Sequence, residues 1–170
     1  MRAEERRIGI REVLSAASHP ISASALASRF SVSRQVIVGD IALLRASGAD
    51  ISATPRGYIV SQAPSGLIRR VACRHGISSM RKELYAIVDE GCTVIDVIVE
   101  HPIYGQLTGA LQISSRHEVN LFMERCAHSD AQPLSVLTEG IHLHTLSCPD
   151  EAAFLRVKAV LEALGLLLKK

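Results

Sequence analysis

At 170 residues, 48% hydrophobic and 21% charged, the chain can bury one large core or two small ones, and no apolar run approaches the ~20 residues of a membrane span. Four scattered cysteines (Cys73, Cys92, Cys126, Cys148) without a CxxC pair argue against a zinc ribbon or a disulfide framework, and 4% aromatic residues without tryptophan argue against stacking platforms for single-stranded nucleic acid. The net charge of +2 is uneven: residues 1–63 hold eight arginines against five acids (+3) and residues 64–170 eleven basic residues against twelve acids (−1), which permits a phosphate-binding N-terminal part.

The first residues, MRAEERRIGIREV, are charged and amphipathic rather than signal-like, so a cytoplasmic protein is expected. Ile10, Val13, Leu14 and Ala17 share one helical face, and His19-Pro20 ends that helix because the residue before proline is pushed out of the α region. Ser22 or Ser24 can cap a second, short helix that buries Ala23, Leu26, Ala27 and Phe30. Ser31-Val32-Ser33 is a tight turn with one apolar plug. A third helix turns Ile37, Ile41 and Leu44 inward and stops at Ser47-Gly48. Ile51 to Val60 then forms two short strands around a Pro-Arg-Gly turn.

Three helices and a hairpin in this order predict a winged helix-turn-helix over residues 1–61, with the third helix entering a DNA major groove by its N-terminal end. Ser33, Arg34 and Gln35 stand at that end; arginine can pair with guanine and glutamine with adenine through two hydrogen bonds each. Arg56, at the wing tip, is placed for phosphate or the minor groove. The stretch VSRQVIVGDIALLRASGADISATPRGYIV resembles the winged helix-turn-helix of biotin-operon repressors and related bacterial regulators. Gly39 departs from that pattern, standing where relatives often carry a basic residue. The competing reading is a three-helix module used for protein contacts alone.

Ser61 to Gly66 has the composition of a linker, and a second domain is expected over residues 66–170. Leu67 to Ala72 is a candidate strand. Ser78-Ser79 can cap a helix to about Glu90, with Met80, Leu84, Ile87 and Val88 on its apolar face. Thr93 to Val99 has the β-branched character of a buried strand, His101 to Gly105 is a turn, and Leu107 to Ile113 returns antiparallel. Ser114 or Ser115 caps a helix through Cys126, Leu134 to Leu137 is expected to be extended, and Ile141 to Leu146 is a strand. Pro149-Asp150 opens a last helix to about Leu164, and Leu166 to Leu168 can close as a strand. The order predicts an α+β fold: an α/β sandwich with helices on one face of a mostly antiparallel sheet.

His142 and His144 flank Leu143, and in a strand the period of two sends both imidazoles to one face with Cβ atoms roughly 7 Å apart. With His75 and Glu83 they can make one metal constellation, since imidazoles and a carboxylate suit zinc, nickel, copper or iron. A six-coordinate ion would keep two positions for water or a small carboxylate; a tetrahedral zinc would be closed. The bland readings are an edge strand with two surface histidines, a loop His75, a solvated Glu83 favoured by the helix dipole, and a His101 that only hydrogen-bonds its turn. His117 and His128 are expected on the surface.

The stretches ELYAIVDEGCTVIDVIVEHPIYG and PLSVLTEGIHLHTL resemble the three-histidine (3H) domain that follows a winged helix in bacterial niacin-responsive repressors. That resemblance implies a divalent metal, commonly nickel, on His75, Glu83, His142 and His144, and nicotinic acid as co-repressor of NAD-synthesis and niacin-uptake genes. It further suggests His101, beside Tyr104, as an effector contact. The expected partner is a double-stranded DNA operator, read by a homodimer whose recognition helices lie roughly 34 Å apart. A regulator of the same build that senses the metal, nickel or zinc, or another small carboxylate is the alternative. A metal-dependent hydrolase is disfavoured, because no HExxH, nucleophile elbow, phosphate loop or biotin-ligase loop is present, and no enzymatic activity is expected.

Overall fold

A computed structural model describes residues 2–60 and 65–169, and the chain divides into two compact units at residues 63 and 64. Most of the expected linker lies outside the described residues. No helix of the described residues is long and apolar enough to cross a membrane.

The N-terminal unit comprises α1 (Ala3–Ala16), α2 (Ala23–Phe30), α3 (Arg34–Ala46), β1 (Ile51–Thr54) and β2 (Gly57–Val60). Ser22 and Ser33 cap α2 and α3, accepting the backbone N–H of Ala25 and Val36 at 3.1 and 3.3 Å. Between them Ser31 takes the left-handed conformation and Val32 plugs the core, so the turn is as tight as the three-residue spacing implies. Ile10, Leu14, Leu26, Ile37, Ile41 and Leu44 are all buried. One buried group was not foreseen. Asp40, on the inner face of α3, takes the Arg6 guanidinium at 2.6 Å and lies 3.7 Å from Arg7, which pins α3 against α1. The antiparallel β1–β2 hairpin is tied back by Ile21, whose N–H and C=O both bond Tyr58. Gly57 (φ +139°) makes that approach possible: a Cβ there would stand 2.2 Å from the Ile21 carbonyl oxygen.

The C-terminal unit runs β3 (Leu67–Arg74), α4 (Met80–Val88), β4 (Thr93–His101), β5 (Gly105–Ile113), α5 (Arg116–Ala127), β6 (Ile141–Cys148) and α6 (Glu151–Ala163). Its sheet has the order β3-β6-β4-β5 with every neighbouring pair antiparallel. Val71, Cys73, Val94, Leu111, Ile113, Leu146 and Cys148 form one core with the inner faces of α4, α5 and α6, so all three helices cover the same side. Leu166 and Leu168 bond the outer edge of β3, but as an isolated bridge between Leu167 and Cys73 rather than the closing strand expected there.

Two local expectations need correction, and one of the bland readings falls. Leu134–Thr138 is a 3-10 turn rather than an extended segment. Ser79 makes no side-chain cap; a 3-10 turn (Ile77–Ser79) feeds α4 directly. The strand holding His142 and His144 is not an edge: β6 is enclosed by β3 and β4. Removing the cap of α3 tests the local logic. Ser33→Ala should cost about 1 kcal/mol in urea unfolding and fray the turn that carries Arg34 and Gln35.

Candidate functional site

Glu83 sits in the first turn of α4 and is 1% exposed. A carboxylate at that depth needs compensation. Three imidazoles provide it. His75 follows the end of β3, and His142 and His144 project from β6 on the face that α4 covers. Their Nε2 atoms lie 2.8 Å (His75) and 3.3 Å (His144) from Oε2 and 2.9 Å (His142) from Oε1. The rings of His75 and His144 each meet that of His142 edge-on at 4.8 Å.

The far nitrogen of each ring is also committed. Nδ1 of His75 bonds the Gly76 carbonyl at 2.9 Å, that of His142 the Gly140 carbonyl at 2.8 Å, and that of His144 the Asp96 carbonyl at 2.7 Å. A carbonyl oxygen can only accept, so each Nδ1 carries a proton, and in a neutral ring Nε2 is then a bare lone pair. Three lone pairs pointed at a carboxylate repel it. If instead every Nε2 were protonated, three cations would surround one anion in a buried site. His75 Nε2 is buried and, despite its 2.8 Å approach, makes no aligned hydrogen bond. A divalent cation held there would resolve the conflict, since such an ion binds neutral imidazole nitrogen and carboxylate oxygen together.

The electrostatics agree in direction. Burial alone would raise Glu83, but His144, His142 and His75 hold it well below the usual carboxylate range. Burial alone would lower His75 and His144, yet the adjacent Glu83 carboxylate, which favours a protonated ring, raises both above an ordinary imidazole.

Three further residues shape the cluster and went unread in the sequence. Gly140 (φ +89°) follows a left-handed Glu139, and its carbonyl receives both the His75 backbone N–H and His142 Nδ1. A Cβ on Gly140 would lie 2.3 Å from the His75 carbonyl oxygen. Asp96 sits at a bulge of β4, its carbonyl on His144 and its carboxylate on the Thr145 N–H at 3.0 Å. Cys73 pairs with His142 across the strands, and its sulfur, a Glu83 oxygen and a His142 nitrogen all lie within 4.8 Å of one another. Burial and the Glu83 charge push the Cys73 thiol up, so it stays protonated at the back of the site. The spacing Cys73-Arg74-His75 held a usable signal, because a period of two puts both residues on one face.

The cluster opens onto a cavity of about 320 Å³. Met80, Leu84, Val97, Leu111, Phe122 and Leu134 supply its apolar wall. Arg125, in the last turn of α5, is exposed at its rim and makes no ion pair or hydrogen bond among the described residues. His101 and Tyr104 do not line it. They belong to the β4–β5 turn, where His101 Nδ1 accepts the N–H groups of Ile103 and Tyr104 at 3.1 and 3.3 Å, apart from the residues that line the cavity.

In the N-terminal unit Arg34 and Gln35 stand exposed in the first turn of α3, with no partner among the described residues. Arg56 is half-buried in the β1–β2 turn, its backbone N–H on Thr54 Oγ1 at 3.2 Å.

Comparison with known proteins places this architecture. Residues 68–170 match the 3H domain and residues 6–59 an HTH domain. The "Probable transcription repressor NiaR" of Thermotoga maritima is 41% identical over 167 residues, covering 98% of this chain and 95% of the relative. The "Transcription repressor NadR" of Bacillus subtilis is 45% identical over 154 residues, covering 88% and 86%. The chain belongs to the 3H-domain transcription repressors. The helix-turn-helix geometry of its N-terminal unit is that of a DNA-binding module, and such a 3H repressor is a regulator rather than an enzyme.

Two outcomes test the cluster of the 3H repressor. Gly140→Ala should displace His75, cost about 1–3 kcal/mol of stability and weaken nickel or zinc binding, by calorimetry, at least about tenfold. Stability against pH should change sign with metal. In metal-free protein the raised histidines contribute fully below their ordinary pKa of 6.5 and lose that contribution as pH rises through their raised values, while lowered Glu83 contributes above its ordinary 4.5. The metal-free melting temperature should therefore fall above pH 6.5, and the metal-loaded one should rise over the same range as protons cease to compete with the ion.

Proposed function

We propose that this 3H repressor controls genes of NAD biosynthesis and niacin uptake, with nicotinic acid as co-repressor, and acts as a homodimer on double-stranded operator DNA. The observation that carries the reading is the convergence of three imidazole lone pairs and the Glu83 carboxylate on the wall of a mostly apolar cavity. His75, Glu83, His142 and His144 would hold the divalent ion, nickel or zinc, and Cys73 and the three backbone carbonyls would orient them. When bound, the ion supplies a positive, Lewis-acidic pole for a carboxylate or a ring nitrogen. The chain supplies the rest of the recognition: an apolar slot for one aromatic ring beside Leu111 and Phe122, and the Arg125 cation at the rim. A regulator that senses only the ion has no use for such a cavity, which favours an aromatic carboxylate over the metal as the signal.

Regulation follows from differential affinity. Nicotinic acid shifts the repressor toward its operator-binding geometry only by as much as it prefers that geometry. The chain's part is to hold Arg34 and Gln35 on a rigid helix start, where Ser33 fixes the cap and Asp40 fixes the helix.

The test is a gel shift on the promoter of a niacin-uptake or NAD-synthesis operon. Nicotinic acid with nickel should tighten binding, and Arg34→Ala or Gln35→Ala should each weaken it by about 1–3 kcal/mol. The paired variant His142→Ala, His144→Ala, made together with Glu83→Gln so that no buried charge is left uncompensated, should lose both bound metal, by elemental analysis, and the response to nicotinic acid, while keeping its secondary structure by circular dichroism. Absence of DNA binding in every condition overturns the repressor reading. An equal response to nickel alone replaces nicotinic acid by the metal as the signal.

A further inference from the structure

The sheet of the C-terminal unit has a second face that α4, α5 and α6 do not cover. Directly paired residues of neighbouring strands share a face. His142 and His144 look toward α4, so Ile141, Leu143 and Thr145 look the other way, together with their partners Arg74, Ala72 and Arg70 on β3 and with Ile98 and Asp96 on β4. Glu100, two residues beyond Ile98, joins them. The face therefore carries an apolar row, Ala72-Leu143-Ile98, between two rows that each place an arginine on β3 and a carboxylate on β4.

Apart from Asp96, whose carboxylate accepts the Thr145 N–H, these charges have little to do within the described residues. Arg70 and Arg74 are exposed and form no ion pair among the described residues. Glu100 is exposed and accepts only the Gln106 side chain at 3.2 Å. Ile141 is 41% exposed and Leu143 half-buried, whereas Ile98 and Thr145 are buried, so the accessible part of the face is its Ile141–Leu143 end and its charged flanks. Arginine and acid stand two strands apart, roughly 10 Å in a flat sheet, with β6 between them.

We propose that this face is the self-association surface of the repressor and that its occupant is the same face of a second copy. The proposal rests on the homodimeric reading above and specifies where the dimer forms. Charge placement selects the symmetry. A two-fold axis lying along β6 lays the β3 side of one copy over the β4 side of the other. Arg70 then meets Asp96 of its partner and Arg74 meets Glu100, each pair twice, while Leu143 packs near its own equivalent at the axis. An axis across the strands would instead set Arg70 against Arg74 and Asp96 against Glu100. Self-complementarity of this kind is what an isologous contact requires, and like-charge opposition selects against the other register.

The face also abuts the metal cluster. Asp96 offers its carbonyl to His144 and its carboxylate to Thr145, so one residue of the β4 bulge touches both sides of the sheet. A ligand that repositions His144 bears on the dimer contact through that residue.

The experiment is sedimentation equilibrium of the full metal-loaded chain with charge-reversed variants. Wild-type protein should be dimeric. Arg74→Glu and Glu100→Arg should each weaken self-association at least about tenfold, and the two changes in one chain should restore it to near the wild-type value. Metal content measured alongside should be unchanged in all three, which reports on the fold. Singles that associate as tightly as wild type, or a double that stays as weak as a single, overturn the assignment. A monomeric wild type overturns it too. In each case operator binding by the wild type separates failure of this face from failure of the repressor reading.

Discussion

The regulatory unit depends on one buried carboxylate and the three rings around it. Glu83 lies between strand and helix, where an unpaired charge would cost several kcal/mol, so the histidines that surround it are structural as well as functional. Their orientation is not left to that carboxylate. Each ring is anchored from behind by a backbone carbonyl, of Gly76, Gly140 or Asp96. Such a site is preorganised for a cation, because the tautomer that ligation requires is already imposed by the main chain. With a metal bound as proposed, the same arrangement would make the unit sensitive to proton and metal alike, since both compete for the same three nitrogens.

The DNA-binding unit solves a parallel problem with a different pair. Asp40 is a buried acid on the inner face of the recognition helix, and Arg6 and Arg7 of α1 neutralise it. Two of the eight arginines of residues 1–63 are thereby withdrawn from the pool available to phosphate. Arg45 is partly withdrawn as well, donating to the Ile51 carbonyl at 2.7 Å and lying over the Tyr58 ring. The mild positive balance of this unit thus overstates its free cations. With Arg34 and Gln35 as the proposed base contacts, base-edge recognition would carry relatively more of the specific affinity than the arginine count suggests.

Much of this was legible in the residues. The serine caps, the apolar spacing of Ile37, Ile41 and Leu44, and the pairing of Ile51 to Val60 are local signals, and local signals survive folding. His142 and His144 share a face for the same reason, since alternation belongs to any strand. What was not legible is long-range. Nothing in Ile141 to Leu146 says that β6 inserts between β3 and β4, because that order is decided by which strands can cover each other's apolar rows. Leu134 to Leu137 was misread because a short apolar run fits strand and 3-10 turn equally. Glu139 and Gly140, both with positive φ, separate that 3-10 turn from β6. His101 and Tyr104 drew attention by their chemistry, yet His101 spends its nitrogen on closing a turn. Cys73 was overlooked because a lone buried cysteine is ordinarily inert, and only the topology sets it beside Glu83.

The pleat links the two sides of this sheet more tightly than an allosteric path through many residues would. In His142-Leu143-His144 alternate side chains serve opposite faces, so the peptide units that position the metal cluster also position the uncovered row. An interior strand transmits displacement to both neighbours through ladder hydrogen bonds, whereas an edge strand would have only one. The bulge between Val94 and Asp96 concentrates that effect, because it is where the β4 ladder is irregular and where the Asp96 main chain bonds His144. A small ligand seated against the cluster therefore needs no distant relay to alter the far face. It has only to change how firmly His144 draws on the Asp96 carbonyl.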